Sequence, residues 1–339
     1  MDRSLAILLG GATAASTVAA RTYSLNQSFA GESFFDSFDF YTGDDPTHGY
    51  VDFVNRTEAE KLSLIGYDSS SGLVYMGAEH ESIVPWESRG RKSVRLESKY
   101  ETSGDVLMVI DMEHMPSSSG HLPDGCGVWP AFWTFGPDWP NNGEIDIIEY
   151  VNNQDIDGTT LHTSDNCVQS QEDTSTFTGT WGVNMNGDPA TDCDVNAPNQ
   201  WQNAGCGING DAQPVGAKFN QNGGGVYALE WVSDTEINAF YFARDSIPND
   251  LANKNPTPSN WGLPFARFEV GTSECSSDHF NGHKIIFDLT FCGDWAGSTF
   301  NDQCQASESC NEYVQYNPAY FEEAHWKISY VDVYDISYY

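Results

Sequence analysis

Within Gly143-Glu144-Ile145-Asp146-Ile147-Ile148-Glu149, three carboxylates are interleaved with β-branched apolar residues. Residues two apart in a strand share a face, so Glu144 and Asp146 point the same way. Glu149 follows Glu144 at an odd offset and would face away from it in a regular strand. One extra residue bulged at Ile147-Ile148 returns it to the first face. The two Glu are then an effective four positions apart, ~13 Å between α-carbons at ~3.3 Å per residue. Side chains leaning together bring the carboxyls toward the ~5–5.5 Å at which one attacks an anomeric carbon while the other protonates the leaving oxygen. Crowded like charges raise one another's pKa, which keeps a proton on the acid. Glu144 is the expected nucleophile, Glu149 the general acid and then base, and Asp146 the group that orients the nucleophile. An exposed strand with an acidic outer face would show the same spacing, so spacing alone leaves both readings open.

The elements that must hold this segment read as strands. Ser93 to Lys99 alternates polar and apolar residues, and Val106 to Met112 is almost continuously apolar. Val226 to Val232 and Glu236 to Phe242 form a hairpin across Ser233-Asp234-Thr235. Ile285 to Phe291 and Trp326 to Tyr334 complete the set. Helical signals are short, the best being Asn317-Pro318 ahead of Ala319 to Glu323. The polar stretch from 152 to 222 reads as elaborate loops, because it carries cysteines that need partners. No repeat or Pro-rich linker divides the chain, so residues 21–339 are expected to form one domain.

Bulk properties narrow the partner. With 15 Lys+Arg against 49 Asp+Glu, the formal charge of -34 repels nucleic acid and anionic lipid, so neither partner is expected. An uncharged substrate meets no such barrier. Aromatics make up 13% with 10 Trp, more than a core usually needs, and exposed rings are good stacking surfaces. Residues 1–20 read as a signal peptide: Arg3, an apolar run from Leu5 to Leu9, and Val18-Ala19-Ala20 ahead of the cut. A secreted, extracellular chain is the expectation, with no membrane span or lipid anchor. The 8 Cys are then disulfide-forming, with Cys304 and Cys310 guessed to close a short loop. Asn26-Gln27-Ser28 and Asn55-Arg56-Thr57 are glycosylation sequons.

The acidic segment resembles the signature of glycoside hydrolase family 16, in the bulged form associated with laminarinases and other endo-β-1,3-glucanases. Flanking segments are similar to the fungal secreted branch of that family: Cys126-Gly127-Val128-Trp129-Pro130-Ala131-Phe132-Trp133, Gly90-Arg91-Lys92-Ser93-Val94-Arg95 and Phe291-Cys292-Gly293-Asp294-Trp295-Ala296-Gly297. The likeness runs from about Tyr23 to the C-terminus. It implies an all-β jelly-roll sandwich of two curved antiparallel sheets with a concave substrate cleft. It also implies an endo-acting, retaining enzyme that cleaves β-1,3-glucan and mixed β-1,3/1,4-glucan, with the three acidic positions on Glu144, Asp146 and Glu149.

Around these, Trp133 and Trp139 are expected to stack on glucose rather than fill the core, and Trp295, between small residues, to line the cleft. Trp129 is balanced between cleft and packing beside Pro130, and the other Trp are assigned to the core. His162 is expected on the neighbouring strand near the reacting sugar. Arg91 is expected to bond sugar hydroxyls or to pair with an acid at the cleft wall. The expected partner is a β-glucan polysaccharide, the chain a monomer, and no cofactor or metal is expected, a structural Ca²⁺ being left open. The glycines of Gly205-Cys206-Gly207-Ile208-Asn209-Gly210 suggest a dinucleotide loop, but no strand precedes and no helix follows, so the segment reads as a plain loop. His279 and His283 lack a helix that would make them a zinc pair. Two alternatives share the fold: a glucan transglycosylase, and a lectin-like module without catalysis.

Overall fold

The computed structural model describes residues 20–170 and 174–339, so the expected leader lies outside the described residues except for Ala20. Two eight-stranded sheets dominate. The first runs in the order Thr180–Trp181, Cys206–Pro214, Ile156–His162, Glu144–Glu149, Val128–Phe135, His283–Phe291, Arg95–Thr102 and Phe38–Phe40. The second runs Ala266–Glu269, Glu236–Ala243, Gly225–Val232, Val106–His114, His325–Tyr338, Leu73–Gly77 and Ile65–Asp68, with Arg21–Ala30 pairing onto His325–Tyr338. Neighbours within both are antiparallel. The fold is the jelly-roll sandwich that the sequence led us to expect.

The period-2 alternation explains why the sheets stack. Leu96, Phe132, Ile145, Leu161, Ile208, Ile285 and Phe287 from the first sheet meet Met108, Ile110, Leu229, Trp231, Ile328 and Val333 from the second in one buried cluster. Each such side chain contributes about 1.5–3 kcal/mol on leaving water. The continuously apolar Val106–His114 has both faces covered. Its Leu107 and Val109 pack instead with Val226, Phe240 and Tyr334 on the far side of the second sheet.

Three local expectations need correction. Gly205 to Gly210 is not a plain loop, because Cys206–Pro214 is a strand paired with Ile156–His162. Cys206 and Ile208 face the core there, and the side-chain-free Gly207 sits against Thr160. The helix expected after Asn317 is only a short 3₁₀ turn, Pro318–Phe321, and the Asn317 amide donates back to the Tyr313 carbonyl instead of capping it. The longer helices are Ser298–Cys304 and Cys310–Tyr316, the second opened by a capping box between Ser309 and Glu312. Those two helices also correct the disulfide guess. Cys304 bonds Cys126 and Cys310 bonds Cys292, so both are tied to the sheet rather than to each other. Cys167–Cys275 and Cys193–Cys206 use the remaining four.

Candidate active site

The acidic strand sits inside the first sheet, flanked by Val128–Phe135 and Ile156–His162. Glu144 pairs with Phe135 and Asp146 with Trp133; then the register slips, and Ile148 pairs with Phe132 and Glu149 with Ala131. The extra residue is Ile147. Ile145, Ile147 and Ile148 all enter the core, each at most 1% exposed. Two successive core-facing isoleucines are what a bulge permits, and they leave all three carboxylates on the outer face. Gly143 leads into the strand at φ 71°, where a Cβ would lie 2.4 Å from the His279 carbonyl oxygen, so only glycine fits that turn.

Each carboxylate has a defined neighbour. Trp139 lies beside Glu144 and favours its ionised form, and the Trp129 indole donates to Glu149 Oε1 at 2.8 Å. Asp146, 2% exposed, lies beside Glu144, and its charge pushes the Glu144 pKa up. Its Oδ2 also lies 3.0 Å from His162 Nε2, close but not aligned for a hydrogen bond. Ligand-type atoms of Glu144, Asp146 and His162 all fall within 4.8 Å of one another. Beneath the bulge, the Glu149 backbone N–H donates to Asp157 Oδ1 at 3.3 Å.

Burial is the main electrostatic cause. It pushes Glu144, Asp146 and Glu149 each up to about 8, and the Asp146 charge adds to the rise at both Glu144 and Glu149. Three full charges this close in a desolvated site are unfavourable, so the cluster retains protons at neutral pH. A partly ionised, partly protonated carboxylate set can attack with one member and donate a proton with another.

The remaining candidates divide. His162 pairs directly opposite Glu144 and is 6% exposed, so it reaches the chemistry through Asp146 rather than lying open in a cleft. Trp139 is 42% exposed beside Glu144. Trp133 is partly exposed opposite Asp146, with its indole donating to Asp288 Oδ2 at 3.3 Å. Trp129 is buried, holds Glu149, and meets Trp295 edge-on with ring centroids 5.7 Å apart. Arg91 pairs with an acid, as one of its two expected roles had it, but away from any cleft wall. It is 0% exposed, paired with Glu79 at 3.0 Å, bonded to the Val314 carbonyl and set over the Phe321 ring, so no sugar can reach it. The rule that other Trp are core also fails for Trp86 and Trp201, which are exposed.

Sequence reasoning missed Arg95, Asp288 and Asp157. Arg95 pairs with Asp288, Asp288 with Ala131, and Ala131 with Glu149, one row across the sheet. Burial pushes Asp288 up to about 7, opposed by the Arg95 charge. Asp288 was detectable as the lone acid in an apolar strand, and Arg95 as the cation in an alternating one. Asp157 offers no such signal. A half-open cavity of about 430 Å³ lies elsewhere, lined by Asp124, Asn153 and Lys218 among others; none of the three acids lines it.

Comparison with known proteins finds several relatives. Residues 38–334 match the model described as "XgeA-like, catalytic GH16 domain". A probable glycosidase of Schizosaccharomyces pombe is 43% identical over 318 residues, 93% of this chain and 70% of that protein. The endo-1,3(4)-β-glucanase xgeA of Emericella nidulans is 39% identical over 328 residues, 94% of this chain but only 48% of that one. Among solved structures, laminarinase 16A from Phanerochaete chrysosporium, with β-glucans in donor and acceptor sites, is 35% identical with a TM-score of 0.82, covering 92% of this chain and 99% of that one. An elongating GH family 16 β-1,3-glucosyltransferase is 38% identical with a TM-score of 0.80, covering 92% and 100%.

Proposed function

The chain belongs to glycoside hydrolase family 16, and on that premise we propose that it is an endo-acting, retaining glycosidase that hydrolyses β-1,3-glucan and mixed β-1,3/1,4-glucan. The observation that carries this reading is the Ile147 bulge, which sets Glu144, Asp146 and Glu149 on one face of one strand. Glu144 attacks the anomeric carbon as the Glu149 proton passes to the leaving oxygen. Glu149 then takes a proton from water, whose oxygen displaces Glu144 from the sugar. Asp146 orients Glu144 and its charge helps to keep Glu149 protonated. Trp139 and Trp133 stack on glucose rings, Trp129 positions Glu149, and Trp295 supports Trp129 at the edge of the site.

We assign residues 21–339 to a single monomeric catalytic domain and residues 1–20 to a signal peptide, with the mature protein secreted. Four disulfides suit an oxidising compartment, and among the described residues no helix is long and apolar enough to cross a membrane. Asn26 and Asn55 are both exposed and open to glycosylation.

A second reading has its own support: the elongating glucosyltransferase is among the most similar solved structures. In that case the glycosyl-enzyme is resolved by a sugar hydroxyl instead of water. Product analysis on laminarin, lichenan and cellulose, each with and without an added oligosaccharide acceptor, separates the two. We expect shorter oligosaccharides from laminarin and lichenan, none from cellulose, and little change on adding acceptor. Products longer than the acceptor as the main yield would favour transfer, and no turnover of either β-1,3-containing glucan would remove the proposal.

A further inference from the structure

Three side chains on the backing sheet converge with no role in glycosidic chemistry. His114 ends the strand Val106–His114, His325 begins the adjoining His325–Tyr338, and Glu323 lies two residues before it. The two imidazoles stack with centroids 4.1 Å apart and planes 6° from parallel. His114 Nδ1 lies 2.8 Å from the His325 carbonyl oxygen, and His325 Nδ1 lies 2.9 Å from that of Glu322. A carbonyl can only accept, so each ring donates from Nδ1 and, when neutral, presents a lone pair at Nε2.

One of those lone pairs lacks a donor. His325 Nε2 is buried without a hydrogen-bond partner, in a residue only 6% exposed. His114 Nε2 lies 2.8 Å from Glu323 Oε2, an acceptor facing an acceptor. The Asn220 amide approaches that nitrogen at 3.0 Å through Nδ2, an orientation fixed by bonds to both Met115 backbone groups. Asn220 therefore favours the lone-pair form of His114. Two imidazole nitrogens and a carboxylate oxygen, all within 4.8 Å of one another, make a donor set suited to a cation.

We propose that His114, His325 and Glu323 form a binding site for zinc or a similar borderline-soft divalent cation. Two nitrogen ligands and one carboxylate suit that class, whereas Ca²⁺ and Mg²⁺ favour all-oxygen shells. The backbone carbonyls that hold each Nδ1 are the usual outer support of a metal-bound imidazole. Glu323 is exposed, so water can complete the coordination. Bonds of about 2.0–2.1 Å require neighbouring ligand atoms about 3.3 Å apart, so the ion opens the 2.8 Å contact between His114 and Glu323 and tilts the rings out of their stack. The ligands are 209 and 211 residues apart in the chain, and no local spacing announces them. The ion would clamp the start of His325–Tyr338 to the end of Val106–His114.

The test is calorimetric titration of the untagged, metal-stripped chain with zinc chloride, alongside a thermal melt. Wild type should bind one ion and melt at a higher temperature with zinc. Glu323→Gln, at an exposed position that leaves the fold intact, and His325→Gln should each weaken binding about tenfold or more. Asp146→Asn should leave binding unchanged, since the Glu144–Asp146–His162 group lies on the other sheet. The proposal fails if wild type binds no stoichiometric zinc, if neither Glu323→Gln nor His325→Gln weakens binding, or if Asp146→Asn abolishes it. None of these readouts depends on glucan hydrolysis.

Discussion

At the scale of single residues, function rests on how burial and charge share protons among three carboxyls. Burial alone raises all three, but Asp146 is also the like charge that holds Glu149 up. Removing that charge lets Glu149 ionise at lower pH, so its acid form is lost earlier as pH rises. Asp146→Asn should therefore move the alkaline limb of kcat/KM to lower pH by roughly one unit, besides slowing turnover. A pH–rate profile of wild type and variant on laminarin checks this. An unmoved or upward-moved limb would mean that Asp146 is neutral in the working enzyme, or that Glu149 is not the acid. Trp129, donating to Glu149, and Trp139, beside Glu144, act in the opposite direction and favour the ionised forms. The poise is a balance between desolvation and two indoles.

At the scale of elements, one extra residue is taken up as a bulge. Ile147 is core-facing and 1% exposed, and deleting it would leave Glu144-Ile145-Asp146-Ile148-Glu149, a regular alternation that keeps all three acids on the outer face but removes one core isoleucine. We expect the deletion to keep kcat/KM within about tenfold of wild type, because the general acid stays on its face, with a cooperative melt at reduced temperature. Rates and thermal melts measured together decide it; a loss of about 10³-fold or more in a folded deletion variant would show that alternation alone does not position Glu149. This element was legible in advance as one of two readings, because an odd Glu-to-Glu offset brings both Glu to one face only with one residue bulged. The strand Cys206–Pro214 was not legible, since Gly207 and Gly210 mimic a loop, although Gly207 packs closely against Thr160 of the next strand. Arg91 was misread for a related reason. Its neighbours in sequence resemble the family, but Glu79 and Val314, which bury it, are brought there only by the fold. Disulfide pairing was equally hidden: the two helices that carry Cys304 and Cys310 face the sheet, and nothing local says so.

At the scale of the whole molecule, the charge of -34 and the open sheet face suit the same substrate. A neutral polysaccharide is not repelled, and its length calls for an open surface rather than an enclosed cavity. The bilayer of sheets supplies a rigid platform, with the backing sheet buried on both sides, so the acidic strand is held by a scaffold rather than by a loop. The chain spans 70% of its fission yeast relative and about half of its Emericella one, and the matched part is the part that holds this platform. All of this converges on one claim, that Glu144 and Glu149 act by double displacement on β-glucan. Proton NMR of fresh laminarin hydrolysate, read before mutarotation, tests it most directly. Two inversions at the anomeric carbon predict that the new reducing ends appear first as the β-anomer; an initial α-anomer would contradict the mechanism and the placement of the two glutamates that supports it.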